Sequence, residues 1–202
     1  MRVGIFGGTF DPIHLGHLIV AEEVRIRLKL LKIIFIPAGN PWLRQGPVTP
    51  ARHRLEMVRL AIKSNPFFEL SDLEVERPGP TYTVDTLMEL REKFGPEVEF
   101  YFIIGPDALA ELPRWKSPEQ LIKLCQLVGV RRPGAREPEL DELERAIPSL
   151  SSRLIFVDEP QIGISSTEIR ERVAQGLSIR YLVPDEVQDY IYRHKLYLEG
   201  EA

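Results

Sequence analysis

Two histidines three positions apart, His14 and His17, follow the pair Gly7-Gly8, which ends a short apolar run at the head of the chain. At the start of a helix, two imidazoles and the backbone N–H groups of the first turn would together face an anion, because the helix dipole favours negative charge there. Aimed at a polyphosphate, they could donate hydrogen bonds as charge grows in a transition state. The glycines would let the backbone turn tightly and approach a ligand with no Cβ in the way. Plainer readings compete with this one. Gly-Gly after a strand is often only a turn, and a histidine pair at this spacing also occurs in metal sites and on ordinary surfaces. Zinc fails on ligand count, since the chain has four histidines and one cysteine, with His53 and His194 far away in sequence.

A second chemical segment lies far down the chain, at ISSTEIR, Ile164 to Arg170. Ser165 with Glu168 three residues later is the capping-box pattern, so a helix is expected to open here. The same helix start would present backbone amides, the hydroxyls of Ser165, Ser166 and Thr167, and the Arg170 guanidinium to the phosphates of an anionic ligand. Capping and phosphate binding are compatible roles.

Both segments can serve one ligand only if the fold carries them to the same edge. Short β-branched apolar runs alternate with longer helical stretches, the pattern of a parallel sheet built from βαβ units. Strands are expected at Arg2 to Phe6, Lys32 to Pro37, Phe67 to Ser71, Val98 to Ile104, Gln126 to Val130 and Arg153 to Val157. Several are apolar at nearly every position, as when helices cover both faces. Thr49 and Pro50 are expected as N-cap and first residue of a helix carrying Leu55, Val58 and Ile62, ended by Asn65-Pro66. Further helices are expected over Val84 to Phe94, from Ser165 with Ile169, Val173 and Leu177 on one face and Gly176 near its C-terminal cap, and over Asp185 to Leu198. Ala38 to Val48 and Arg131 to Pro138 read as loops rich in Pro, Gly and charge. The expected fold class is α/β, with one domain over 1–202 that holds a single doubly wound parallel sheet and helices on both faces. In such a sheet ligands bind outside the carboxyl ends of the strands, where the loop after the first strand lies.

Composition narrows the function classes. The 202 residues are 44% apolar and 28% charged, which points to neither disorder nor a membrane class. Met1 to Phe6 runs straight into a glycine-rich segment rather than a signal-peptide hydrophobic region, so the mature chain is expected to begin at Met1. A formal net charge of −4 offers no overall basic field, and neither nucleic acid nor membrane is expected as a partner. Cys125 alone allows no internal disulfide, which suits a reducing, cytoplasmic setting, and its apolar context places it in the core.

The full string GGTFDPIHLGH, Gly7 to His17, resembles the nucleotidyltransferase superfamily that carries (H/T)xGH after its first strand. In that superfamily an ISSTEIR-like segment faces the HxGH loop across the ATP phosphates. Aminoacyl-tRNA synthetases share the loop but are far longer and carry a KMSKS-like lysine loop that this chain lacks. Phosphopantetheine and glycerol-phosphate relatives share the opening but do not account for the middle of the chain. That middle, ERPGPTYTVDTL (Glu76 to Leu87), IIGPDALAELPRW (Ile103 to Trp115), VRRPG (Val130 to Gly134) and LVPDEVQDYI (Leu182 to Ile191), resembles the bacterial nicotinate-mononucleotide adenylyltransferases, and the likeness covers essentially the whole chain.

The resemblance implies a Rossmann-like fold and transfer of AMP from ATP to nicotinate mononucleotide in NAD biosynthesis, releasing pyrophosphate. His17 would be the main catalytic histidine, assisted by His14 and Arg170. Gly7, Gly8, Thr9 and Phe10 would line the phosphates, joined on the ATP side by Ile164, Ser165, Ser166, Thr167 and Arg170. Gly105 and Asp107 would contact the adenosine. The mononucleotide would meet Thr9 and Arg44 at its phosphate, Thr86, Trp115 and Lys116 at its ring, and Asn40 as a further contact. Many relatives have Lys at the position of Arg44 and an aromatic residue at that of Lys116. Mg²⁺ is implied with ATP, held mainly by nucleotide oxygens and water, with no metal ligand from the protein. The partners implied are these small molecules, and a homo-oligomer is left open. Acid rather than amide mononucleotide is expected, since Thr86 and the backbone around Lys116 offer donors, and Glu111, four positions before Trp115, is the nearest acid ahead of it in sequence. Two alternatives stand beside this: a dual-specificity nicotinamide/nicotinate enzyme, and a catalytically silent nucleotide-binding module.

Overall fold

The structure is a computed structural model that describes residues 1–43, 46–131, 139–158 and 162–198. Six strands, β1 Arg2–Gly8, β2 Lys32–Pro37, β3 Phe68–Leu70, β4 Glu99–Ile104, β5 Gln126–Arg131 and β6 Leu154–Asp158, form one all-parallel sheet in the order β3-β2-β1-β4-β5-β6. Among the described residues the helices are α1 Leu15–Arg27, α2 Ala51–Ile62, α3 Leu73–Glu76, α4 Thr83–Phe94, α5 Pro106–Ala110, α6 Pro118–Leu124, α7 Leu140–Ala146, α8 Ser166–Ala174 and α9 Asp185–Arg193.

Burial on both faces explains why the strands read as continuous apolar runs rather than alternating ones. Along β2, Ile33 and Phe35 enter one core layer while Ile34 and Ile36 enter the other, and all four are nearly or fully buried. The first layer joins α1, α2, α8 and α9 through Val24, Met57, Ile169 and Val187. The second joins α4, α6 and α7 through Leu87, Leu90, Leu121 and Leu143. Each such side chain contributes about 1.5–3 kcal/mol by leaving water. Cys125 is buried, as its context implied, and burial pushes its thiol up to about 12. No helix among the described residues is long and apolar enough to cross a membrane.

The chain builds β1, β2 and β3 outward in one direction, then crosses back to lay β4 on the other side of β1. Connections leaving β1 and β4 therefore diverge, opening a crevice at their carboxyl ends.

Local expectations need four corrections. Gly7 and Gly8 do not turn. They are the last residues of β1, paired with Ile36 and Pro37, and the left-handed residue that redirects the chain is Phe10, at φ 49°. The N-cap of α2 is Pro50, not Thr49. The Thr49 carbonyl instead accepts from Arg54 Nε at 2.7 Å. Leu177 lies beyond α8 and is exposed, although Gly176 does follow the helix in the left-handed region, at φ 68°. The tail helix stops at Arg193, where Lys195 (φ 54°) and Tyr197 (φ 65°) turn the chain back. The short helices α3, α6 and α7 are too brief for a helical period to declare itself in the sequence, whereas α5 lies where a short helix beside Asp107 is expected.

Candidate active site

Two cavities open into the crevice. The larger, about 630 Å³, runs from Gly7, Gly8 and Thr9 past Trp42 to Thr86, Asp107, Trp115 and Lys116. The smaller, about 140 Å³, lies between His14, His17, Gly105 and Ile164. Phe6, Ile103 and Gly105 line both, so the cavities meet at the ends of β1 and β4.

His14 is the N-cap residue of α1 in extended conformation, its carbonyl accepts from the His17 amide at 3.0 Å, and the His17 ring reaches back to the His14 amide across the first turn. His14 N–H donates to His17 Nδ1 at 3.2 Å. An imidazole whose Nδ1 accepts carries its proton on Nε2, so the helix start sets the His17 tautomer and leaves Nε2–H as donor. The two rings stack with centroids 3.7 Å apart, and Phe10 meets His17 edge-on at 5.1 Å. Gly16 leaves room for this stacking: a Cβ there would stand 3.0 Å from the His14 ring, which would have to shift by a few tenths of an ångström. Phe10 itself is buried, its side chain in the core, so it can offer a phosphate only backbone groups.

The loop between Gly8 and His14 is anchored from several sides. Arg54, 1% exposed, donates to the carbonyls of Thr9 at 2.7 Å, Gly39 at 3.0 Å and Thr49 at 2.7 Å, tying the loops after β1 and β2 to the start of α2. From α8, Ser166 Oγ donates to the Pro12 carbonyl at 2.9 Å and Arg170 to the Asp11 carbonyl at 2.7 Å. Ser165 caps α8 through the Glu168 amide at 3.1 Å, which is half of the expected capping box. Thr167 Oγ accepts from Arg170 at 3.3 Å. Thus the fold does bring ISSTEIR onto the histidine loop, and the groups assigned to phosphate also hold that loop in place.

At the far end of the larger cavity, Trp115 packs edge-on against Phe102, and its indole N–H is buried with no hydrogen-bond partner. Lys116 is held by Asp85 at 2.8 Å and lies over the Tyr82 ring. Thr86 is buried; its hydroxyl donates to Glu74 Oε1 at 2.7 Å and accepts from Arg77 at 3.0 Å. Glu74 is itself 7% exposed and lines the cavity, and burial raises its carboxyl above the usual range against the opposing pull of the Thr86 hydroxyl and Arg77. Glu111 does line the cavity, but so does Glu74 from α3, and Asp85 from α4 reaches this end through Lys116, so nearness in sequence did not identify these acids. Arg77 is also paired with Glu89 at 2.6 Å.

The remaining sequence candidates fall as follows. Asp107 is exposed in the first turn of α5, whose N-cap is Gly105, and its side chain does not cap the helix. Asn40 is exposed; its carbonyl accepts from the Thr81 amide and hydroxyl at 3.1 and 3.2 Å. Arg44 lies outside the described residues. Trp42, Glu74, Thr81 and Tyr82 line the cavity without having been singled out. Only PTYT, inside a segment already quoted, carried a signal for two of them. Among the described residues, no group of three or more His, Cys, Asp or Glu is placed to hold a metal ion.

Comparison with known proteins agrees with this geometry. The cytidylyltransferase-like family profile matches residues 5–172. A protein of Dehalococcoides mccartyi described as a probable nicotinate-nucleotide adenylyltransferase is 48% identical over 198 residues, 98% of this chain and 97% of its own. A protein of the same description from Roseiflexus sp. is 50% identical over 196 residues, 96% of this chain and 97% of its own. The fold is shared with Plasmodium falciparum nicotinic acid mononucleotide adenylyltransferase complexed with NaAD, at TM-score 0.79 and 23% identity, over 97% of each chain.

Proposed function

Because the chain belongs to the cytidylyltransferase-like family, and within it to the nicotinate-nucleotide adenylyltransferases, we propose that it joins nicotinate mononucleotide to the AMP of ATP and releases pyrophosphate. The observation that carries this is the meeting of the two cavities at Gly105, one faced by the paired histidines and Ile164, the other ending at Trp115. ATP phosphates fit the first, and a pyridine mononucleotide fits the second with its phosphate at Thr9.

The attacking group is the phosphate of the mononucleotide, with a second pKa of about 6, so it is already largely ionised at neutral pH and needs no general base. One of its oxygens bonds to the α-phosphorus of ATP as the bond to the bridging oxygen of pyrophosphate breaks. The protein's work is to bring two anions together and to disperse the charge that develops. His17 Nε2–H, fixed as donor by the capping bond, serves the α-phosphate; the α1 and α8 helix starts and Arg170 serve the leaving pyrophosphate. A magnesium ion carried in with ATP would supply positive charge to the phosphates, and the described residues facing this end would present N–H donors and hydroxyls rather than a carboxylate ligand.

The reading is tested by incubating the chain with Mg-ATP and nicotinate mononucleotide and measuring pyrophosphate and dinucleotide. Equal amounts of both are expected. Binding of ATP without any dinucleotide from either pyridine mononucleotide would favour the silent-module alternative.

A further inference from the structure

The buried anchors of the histidine loop include one from the far end of the chain. Tyr197 Oη donates to Asp11 Oδ1 at 2.7 Å, although the two residues stand 186 positions apart. Asp11 is 2% exposed, lies inside the loop that ends on His14, and uses its second oxygen to accept from the Thr49 amide at 3.3 Å. Its carbonyl takes Arg170. A buried carboxylate is tolerated when its lone pairs are filled by donors, and the Tyr197 hydroxyl supplies one of them. Burial and the neighbouring Asp11 charge push the Tyr197 phenol above its ordinary value, so it remains a donor throughout the neutral range.

The backbone gives a second, independent sign. After α9 the chain turns through Lys195 at φ 54° and reaches Tyr197 at φ 65°, a left-handed conformation that side-chain-bearing residues avoid. Leu196 between them is buried in the core layer beneath α1 and α2. The segment after α9 is therefore bent back so that a hydrophobic anchor and a phenol both point inward.

We propose that Tyr197 is a positioning residue for adenylyl transfer: through Asp11 it holds the loop that aims the His14–His17 pair, tying the segment after α9 to the catalytic geometry. The proposal rests on the adenylyl-transfer reading above. Misaiming a donor that matters only as charge develops lowers kcat and leaves substrate affinity nearly untouched, whereas a general loosening of the fold lowers stability and affinity together.

The test uses the full chain and three variants: Tyr197→Phe, which keeps the ring and removes only the hydroxyl, Asp11→Asn, and the double variant. Tyr197→Phe is expected to lower kcat about tenfold with KM for both substrates within about twofold, and the double variant is expected to be no slower than Asp11→Asn alone, because both act through one contact. Wild-type kcat in Tyr197→Phe would overturn the proposal. So would a rise in KM at unchanged kcat, or single-variant effects that simply multiply in the double variant. If Tyr197→Phe fails to fold, Asp11→Asn bears the same kcat-against-KM test. A wild-type chain that makes no dinucleotide defeats the adenylyl-transfer reading itself, whereas an active wild type with an unimpaired Tyr197→Phe defeats only the latch.

Discussion

At the scale of single residues, the site depends on protons having defined homes. His17 can donate from Nε2 because its Nδ1 is occupied by the His14 amide. His17→Ala is expected to lower kcat by roughly 10²-fold or more while the chain stays folded, as for loss of a preorganised transition-state donor. Steady-state turnover of the purified variant checks this, and near-normal turnover would remove His17 from catalysis. Glu74 makes the opposite point, since its environment favours the protonated form. A carboxyl raised by burial contributes stability that is full below the ordinary carboxylate range and is lost as pH rises through its raised value. Wild type should therefore lose more thermal stability than Glu74→Gln between about pH 5 and 8. Thermal melts of both at each end decide it, and parallel shifts would place the Glu74 carboxyl in an environment no harsher than water.

At the scale of elements, Arg54 is the member whose removal should cost most. Its guanidinium serves three carbonyls from three segments, and the backbone it supports passes close by: a Cβ on Gly39 would lie 2.0 Å from the Glu74 carbonyl. Arg54→Met would strand those part-buried acceptors at about 1 kcal/mol each, so a loss of about 3 kcal/mol is expected in urea unfolding. An unchanged midpoint would mean that water replaces the guanidinium. The two phosphate segments were legible because their chemistry and their capping use the same residues, which is why GGTFDPIHLGH and ISSTEIR announce both helix starts and a ligand. Arg54, Glu74 and Tyr197 were not legible. Each acts on a partner distant in sequence, and nothing in a local window distinguishes a buried arginine on a helix from a solvated one.

At the scale of the whole molecule, strand positions were readable because a sheet covered on both faces leaves uninterrupted apolar runs. Strand order then placed the crevice between β1 and β4. Less of the ring end could be read, since its walls come from α3, α4, β4 and the turn before α6. The fold supplies Asp85 to neutralise Lys116 and Glu74 to accept the hydrogen bond of the Thr86 hydroxyl, so on the proposed reading an acid substituent would meet the Trp115 indole N–H and the backbone at Lys116. A carboxylate accepts from both, whereas a carboxamide turns its NH₂ toward one of them, leaving a donor unpaired and losing a charge-assisted bond. The direct measurement is kcat/KM for nicotinate mononucleotide and for nicotinamide mononucleotide, side by side at saturating Mg-ATP. A preference for the acid on the order of 10²-fold or more is expected from two such mismatches; equal efficiencies, or a preference for the amide, would contradict the account.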